Sequence, residues 1–109
     1  MKPIFIKLDE QREIRFSNKA ILKFKEETGQ TLFEALEGLE EVDIATSVLF
    51  FNQVLYVALL AKNDDIESLE QVIDLVDEHL TFEVLNAKCM EAINESGFFK
   101  KADPKKKKK

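Results

Sequence analysis

Ile44-Ala45-Thr46-Ser47-Val48-Leu49-Phe50-Phe51-Asn52-Gln53-Val54-Leu55-Tyr56-Val57-Ala58-Leu59-Leu60-Ala61 carries no charge, in a chain of 109 residues of which 34 % are charged. Ile44, Val48, Phe51, Leu55 and Leu59 recur at steps of four and three, the spacing of a helical stripe. Leu49, Phe50, Val57 and Leu60 put apolar side chains on the remaining faces. A helix that is apolar all round is the centre of a fold or a membrane span. The run stands at the spanning threshold in length. Asn52 and Gln53 fall at its middle, where an uncompensated amide is costly in hydrocarbon. No cluster of Lys or Arg flanks its start. The spacing therefore predicts a central core helix over 44–61, with no membrane partner.

Upstream, two short alternating runs surround a polar break. Ile4, Ile6 and Leu8 oppose Phe5 and Lys7; after Asp9-Glu10-Gln11, Ile14 and Phe16 are set against Arg12, Glu13 and Arg15. That pattern predicts a β-hairpin, which needs something to pack on because two strands alone are barely stable. Ser17 or Asn18 can cap a helix through Thr28, with Gly29 as its C′ residue and Ala20, Ile21 and Phe24 on one face. Thr31-Leu32-Phe33-Glu34 has the form of a capping box and opens a short helix to Gly38, with Leu32, Phe33 and Leu36 as its apolar side. Glu37, Glu40, Glu41 and Asp43 make an acidic connector that ends in a cap for the central helix.

Downstream, Lys62-Asn63-Asp64-Asp65 reads as a loop. Ser68-Leu69-Glu70-Gln71 has the form of a second capping box. The helix behind it turns Leu69, Val72, Ile73 and Val76 inward, and Glu70, Asp74, Asp77 and Glu78 outward. Thr81 caps a last helix with Phe82, Leu85, Cys89, Ala92 and Ile93 on one side, closed by Asn94-Glu95-Ser96-Gly97. The expected fold is α+β but mostly α: an N-terminal hairpin packed on a bundle of about five helices. Residues 1–99 read as a single globular domain and residues 100–109 as a disordered, Lys-rich tail.

Charge divides at the same seam. Residues 1–99 hold nine Lys/Arg against twenty Asp/Glu, a net −11, whereas residues 100–109 hold seven Lys against one Asp, a net +6. An acidic body repels nucleic acid and anionic lipid, which argues against a nucleic-acid partner. The tail is too poor in apolar residues to offset its ordering entropy. The N-terminus lacks the pattern of a secretory signal, so the expected compartment is the cytoplasm.

Catalytic signals are scarce, and the chain reads as a non-enzyme. His79 is the single histidine, placed at a helix end where a cation is a common structural device. Cys89 lies on an apolar helix face, where a free thiol behaves as a small hydrophobe. Asn63, Asp65 and Glu67 alternate like the start of a calcium loop but lack its glycine and terminal glutamate, so they read as a solvated face and no metal is expected. No dinucleotide, P-loop or nucleophile motif is present, and no cofactor is expected. What stands out is aromatic content: nine Phe, with Phe50-Phe51 adjacent and Phe98-Phe99 at the edge of the tail. These four are the candidate partner-binding residues, as an apolar patch left over by the core; the alternative is that the rings simply fill the core in place of the missing Trp. The open edge of the hairpin also admits a homo-oligomer.

Arg12-Glu13-Ile14-Arg15-Phe16-Ser17, then Lys23 through Leu36 (KFKEETGQTLFEAL), the uncharged helix and Leu69 through Asp77 (LEQVIDLVD) follow one another in an order that resembles the small tail assembly chaperones of long-tailed bacteriophages and related prophages. The resemblance covers roughly residues 12–96. Relatives often carry a Trp in the central helix, where this chain has Phe50-Phe51. It implies a non-catalytic role: binding the tape measure protein in the host cytoplasm and helping to recruit tail tube protein, without entering the mature virion. It also implies a longer frameshift product of the same gene as a further partner; Lys105–Lys109 would then mark an A-rich, slippery coding stretch. The other reading is a small acidic adaptor or anti-regulator that mimics DNA, which would need its acids ordered along one elongated face.

Overall fold

A computed structural model of the chain describes residues 3–96. Strands β1 (Ile4–Lys7) and β2 (Gln11–Ile14) are followed by α1 (Asn18–Thr28), α2 (Leu32–Glu37), a 3-10 turn over Leu39–Glu41, α3 (Ile44–Leu60), α4 (Leu69–His79) and α5 (Phe82–Ser96). The fold is mostly α with a small β part. Phe98, Phe99 and the Lys-rich tail lie outside the described residues.

The hairpin is antiparallel, with Ile4 opposite Ile14, Phe5 opposite Glu13, Ile6 opposite Arg12 and Lys7 opposite Gln11. Gln11 thus joins the strand instead of the turn, and Leu8–Glu10 makes the reversal. Ile4, Ile6, Leu8, Ile14 and Phe16 are buried on one face. Arg12 has the same parity as Ile14 and Phe16, and it points inward with them, not outward with Glu13 and Arg15; it is 4 % exposed. Beyond β2, the Arg15 amide donates to the Ala58 carbonyl of α3 at 3.1 Å, fixing the hairpin to the central helix.

Local chemistry sets the helix ends. The Ser17 hydroxyl accepts from the Ala20 amide at the start of α1, and Gly29 ends it at φ +80°, a left-handed turn that costs a side-chain-bearing residue about 1 kcal/mol. Thr31 and Glu34 form both halves of a capping box: the hydroxyl accepts from the Glu34 amide, and the Glu34 carboxylate accepts from the Thr31 amide at 3.0 Å. Asp43 accepts from the Thr46 amide at 2.8 Å and starts α3. At α4 only half of the expected box forms. Ser68 accepts from the Gln71 amide, but the Gln71 side chain turns to the loop, accepting from the Glu67 amide and donating to the Asp65 carbonyl. Thr81 accepts from the Val84 amide at the start of α5.

Helix α3 is the hub: α1, α4, α5 and β2 all pack on it. Every residue of α3 from Phe50 to Leu59 is buried except the half-buried Gln53. Three ring contacts cross it in series. Phe24 of α1 meets Phe50 edge-on with centroids 5.9 Å apart, Phe50 meets Phe51 at 4.9 Å, and Phe51 meets Phe82 of α5 at 5.8 Å. Such pairs add about 0.5–1.5 kcal/mol each beyond their burial. No helix among the described residues is long and apolar enough to cross a membrane.

The covering of α3 is incomplete. Ile44, expected to begin the buried stripe, is 70 % exposed, and Val48 and Leu49 are also exposed. The helices that cover α3 pack on its C-terminal half, so its first turns project beyond them. In α2, Leu32 is buried and Leu36 half-buried, but Phe33 is exposed instead of joining them. Positions 32 and 36 share a face one turn apart, whereas 33 is rotated by about 100° in a helix that packs through one side only.

Candidate functional site

Reactive groups are dispersed. His79 ends α4, exposed, with Nε2 3.7 Å from its neighbour Glu78. Cys89 is buried in α5 and donates its thiol to the Phe51 carbonyl at 3.3 Å; burial pushes the thiol far up from its ordinary value, which opposes thiolate formation. Among the described residues no three His, Cys, Asp or Glu side chains converge as a metal site.

Two of the three residues that resemble the start of a calcium loop already have a cation. Arg12 Nη1 and Nη2 donate to the two oxygens of Asp65, each at 2.9 Å. Its Nε and Nη2 donate to the two oxygens of Asp9 at 2.9 and 3.0 Å, and Nη1 also donates to Asn63 Oδ1 at 3.1 Å. Asn63 in turn donates Nδ2 to the Glu13 and Leu59 carbonyls. Asp65 and Asn63 are therefore partners of a buried guanidinium, not parts of a purely solvated face. Glu67 is exposed. The Arg12 hydrogen bonds hold the Asp9 and Asp65 carboxyls below the usual carboxylate range. The cluster ties the hairpin turn to the loop between α3 and α4, and with every Arg12 nitrogen engaged it is structural.

The candidate partner-binding rings are placed differently from the expectation of an exposed patch. Phe50 and Phe51 are 5 % and 3 % exposed, interlocked between α1 and α5. Phe98 and Phe99 fall outside the described residues. Exposed apolar side chains lie elsewhere: Phe5, Leu22, Phe33, Phe82 and Val84 are scattered over the other elements, whereas Val42, Ile44, Val48 and Leu49 fall together around the first turns of α3.

Beside those turns lies a groove of about 350 Å³. Phe24 and Phe50 form its floor, and Ala35, Leu39, Val42 and Leu49 line it from α2, the 3-10 turn and α3. Polar side chains complete it: Glu27 and Thr28 from α1, Gln30 and Glu34 before and within α2, and Thr46 and Gln53 from α3. Among the described residues no Lys, Arg or His lines it. The groove is bounded by the six-residue α2, the 3-10 turn and the first half of α3. Residue spacing could have located Leu49 as off the main stripe, but not that α2 would leave it uncovered.

No protein-family model, curated protein or solved structure matched the chain.

Proposed function

We propose that this protein is a non-catalytic tail assembly chaperone of a bacteriophage or prophage. It binds apolar helical segments of the tape measure protein in the host cytoplasm and leaves before the virion is complete. The single observation that supports the reading is the uncovered N-terminal half of α3, with exposed Val42, Ile44, Val48 and Leu49 beside a groove floored by Phe24 and Phe50. An apolar groove flanked by polar residues is a docking mode for amphipathic helices, and exposed apolar clusters mark partner surfaces. The role proposed for the groove is to shield those segments from one another. Recruitment of tail tube protein belongs to the same proposal, as a task for a longer frameshift product.

Co-expression tests it. The tape measure protein is expected to partition into the supernatant with this chain and into the pellet without it, and Leu49→Asp is expected to abolish the effect. A tape measure protein that precipitates equally in both cases refutes the proposal.

A further inference from the structure

We infer that the groove between α1, α2 and α3 takes a cationic amphipathic helix, with its apolar stripe on Val42, Leu49 and Phe50 and its Lys or Arg side chains facing the surrounding carboxylates. The inference rests on the binding role proposed above and adds the chemistry of the ligand.

Charge carries it. From Glu26 to Ala61 the chain holds seven acidic residues and no Lys, Arg or His. Every residue lining the groove except Phe24 comes from that stretch. Glu34 and Glu27 stand in the groove itself, Glu27 with Lys23 Nζ at 3.3 Å on its α1 side, and Glu37, Glu40 and Glu41 are exposed on α2 and the 3-10 turn beside it with no Lys, Arg or His in their own stretch. An apolar floor inside a carboxylate border selects a ligand that is greasy on one side and positive beside it. Complementary charge speeds the encounter, and like charge facing like charge costs several kcal/mol. The same argument disfavours a second copy. A two-fold contact places each patch on itself, so these acids would meet their own counterparts.

The test uses the full chain and synthetic helices of about 18 residues. One carries a Leu stripe with Lys on the other faces. The second replaces every Lys by Glu, and the third scrambles the Leu/Lys order so that no apolar face forms. Titration calorimetry is expected to show binding of the amphipathic Leu/Lys helix, about tenfold weaker at 0.5 M than at 0.05 M salt. Leu49→Asp and, independently, Val42→Asp are expected to weaken it by at least about tenfold while leaving the thermal midpoint within a few degrees, since both side chains are already exposed. Glu27→Lys is expected to weaken the Leu/Lys helix and to admit the Leu/Glu one. Equal binding of the Leu/Glu and Leu/Lys helices overturns the cation preference while leaving a groove-binding role intact. Equal binding of the scrambled peptide overturns the groove. No binding of either amphipathic helix removes both. Two further outcomes assign the groove elsewhere and overturn the proposal: self-association that Leu49→Asp abolishes, and displacement of the Leu/Lys helix by a peptide of residues 97–109.

Discussion

Replacing Arg12 by Met removes the guanidinium while keeping most of the aliphatic stem. The loss is five side-chain hydrogen bonds, two each to Asp9 and Asp65 and one to Asn63. Hydrogen bonds to charged groups are worth about 1.5–3 kcal/mol where buried, and fully exposed ion pairs about 0.2–1 kcal/mol. This cluster lies between those limits: Arg12 is buried, but the side chains of Asp9 and Asp65 are 44 % and 62 % exposed. In the variant water hydrates both carboxylates, so no charge is left stranded, and the 3–5 kcal/mol penalty of a broken buried pair is an upper bound. The expected loss is about 2 kcal/mol, a shift of about 1.5 M in the urea midpoint for a chain of this size.

The pH dependence is a second, independent signature. Both carboxyls are held below their ordinary value by Arg12. Their stabilisation is full above the unfolded Asp value of about 3.9 and is lost as pH falls through the lowered folded values. The gap between wild type and Arg12→Met is therefore expected to be constant from pH 7 to about pH 5 and to narrow below about pH 4. Urea melts at fixed ionic strength across that range check it. A gap under about 0.5 kcal/mol at pH 7, or one that fails to close on acidification, refutes the assignment of this cluster as the clasp of the hairpin.

Phe50→Ala is expected to cost about 3–5 kcal/mol, because it removes two ring contacts from the buried centre, whereas Ile44→Asp is expected to stay within about 0.5 kcal/mol in the same denaturation assay. Cys89 is expected to resist thiol reagents at pH 8 and to label only at the rate of global unfolding; rapid labelling of the folded chain would contradict its burial and raised thiol. Gly29→Ala is expected to lower stability by about 1 kcal/mol at the left-handed end of α1, read as a fall in thermal midpoint. Asn52 is buried and donates to the Val48 carbonyl at 2.8 Å, while its Oδ1 finds no donor among the described residues. Asn52→Leu is therefore expected to raise stability by about 1 kcal/mol in the urea assay.

The amino-acid sequence alone determined the helices, their caps and the hairpin, because those depend on neighbours a few positions away. Ser17, Thr31, Asp43, Ser68 and Thr81 each cap the helix their spacing announces, and the uncharged run becomes the hub because nothing else in the chain could surround so much apolar surface. The parity of Arg12 with Ile14 and Phe16 already signalled its inward side; its basic character argued the other way, and its partners Asp9, Asn63 and Asp65 became visible only when the chain brought them together. Which part of the hub stays bare was decided by tertiary packing alone. Phe50 and Phe51 are hidden between α1 and α5, whereas Ile44 and Leu49 are exposed on the earlier turns of α3, where α2 borders a groove and does not close over it. Periodicity assigns a side chain to a face of its helix; whether another element covers that face depends on the lengths and angles of segments far away in the chain.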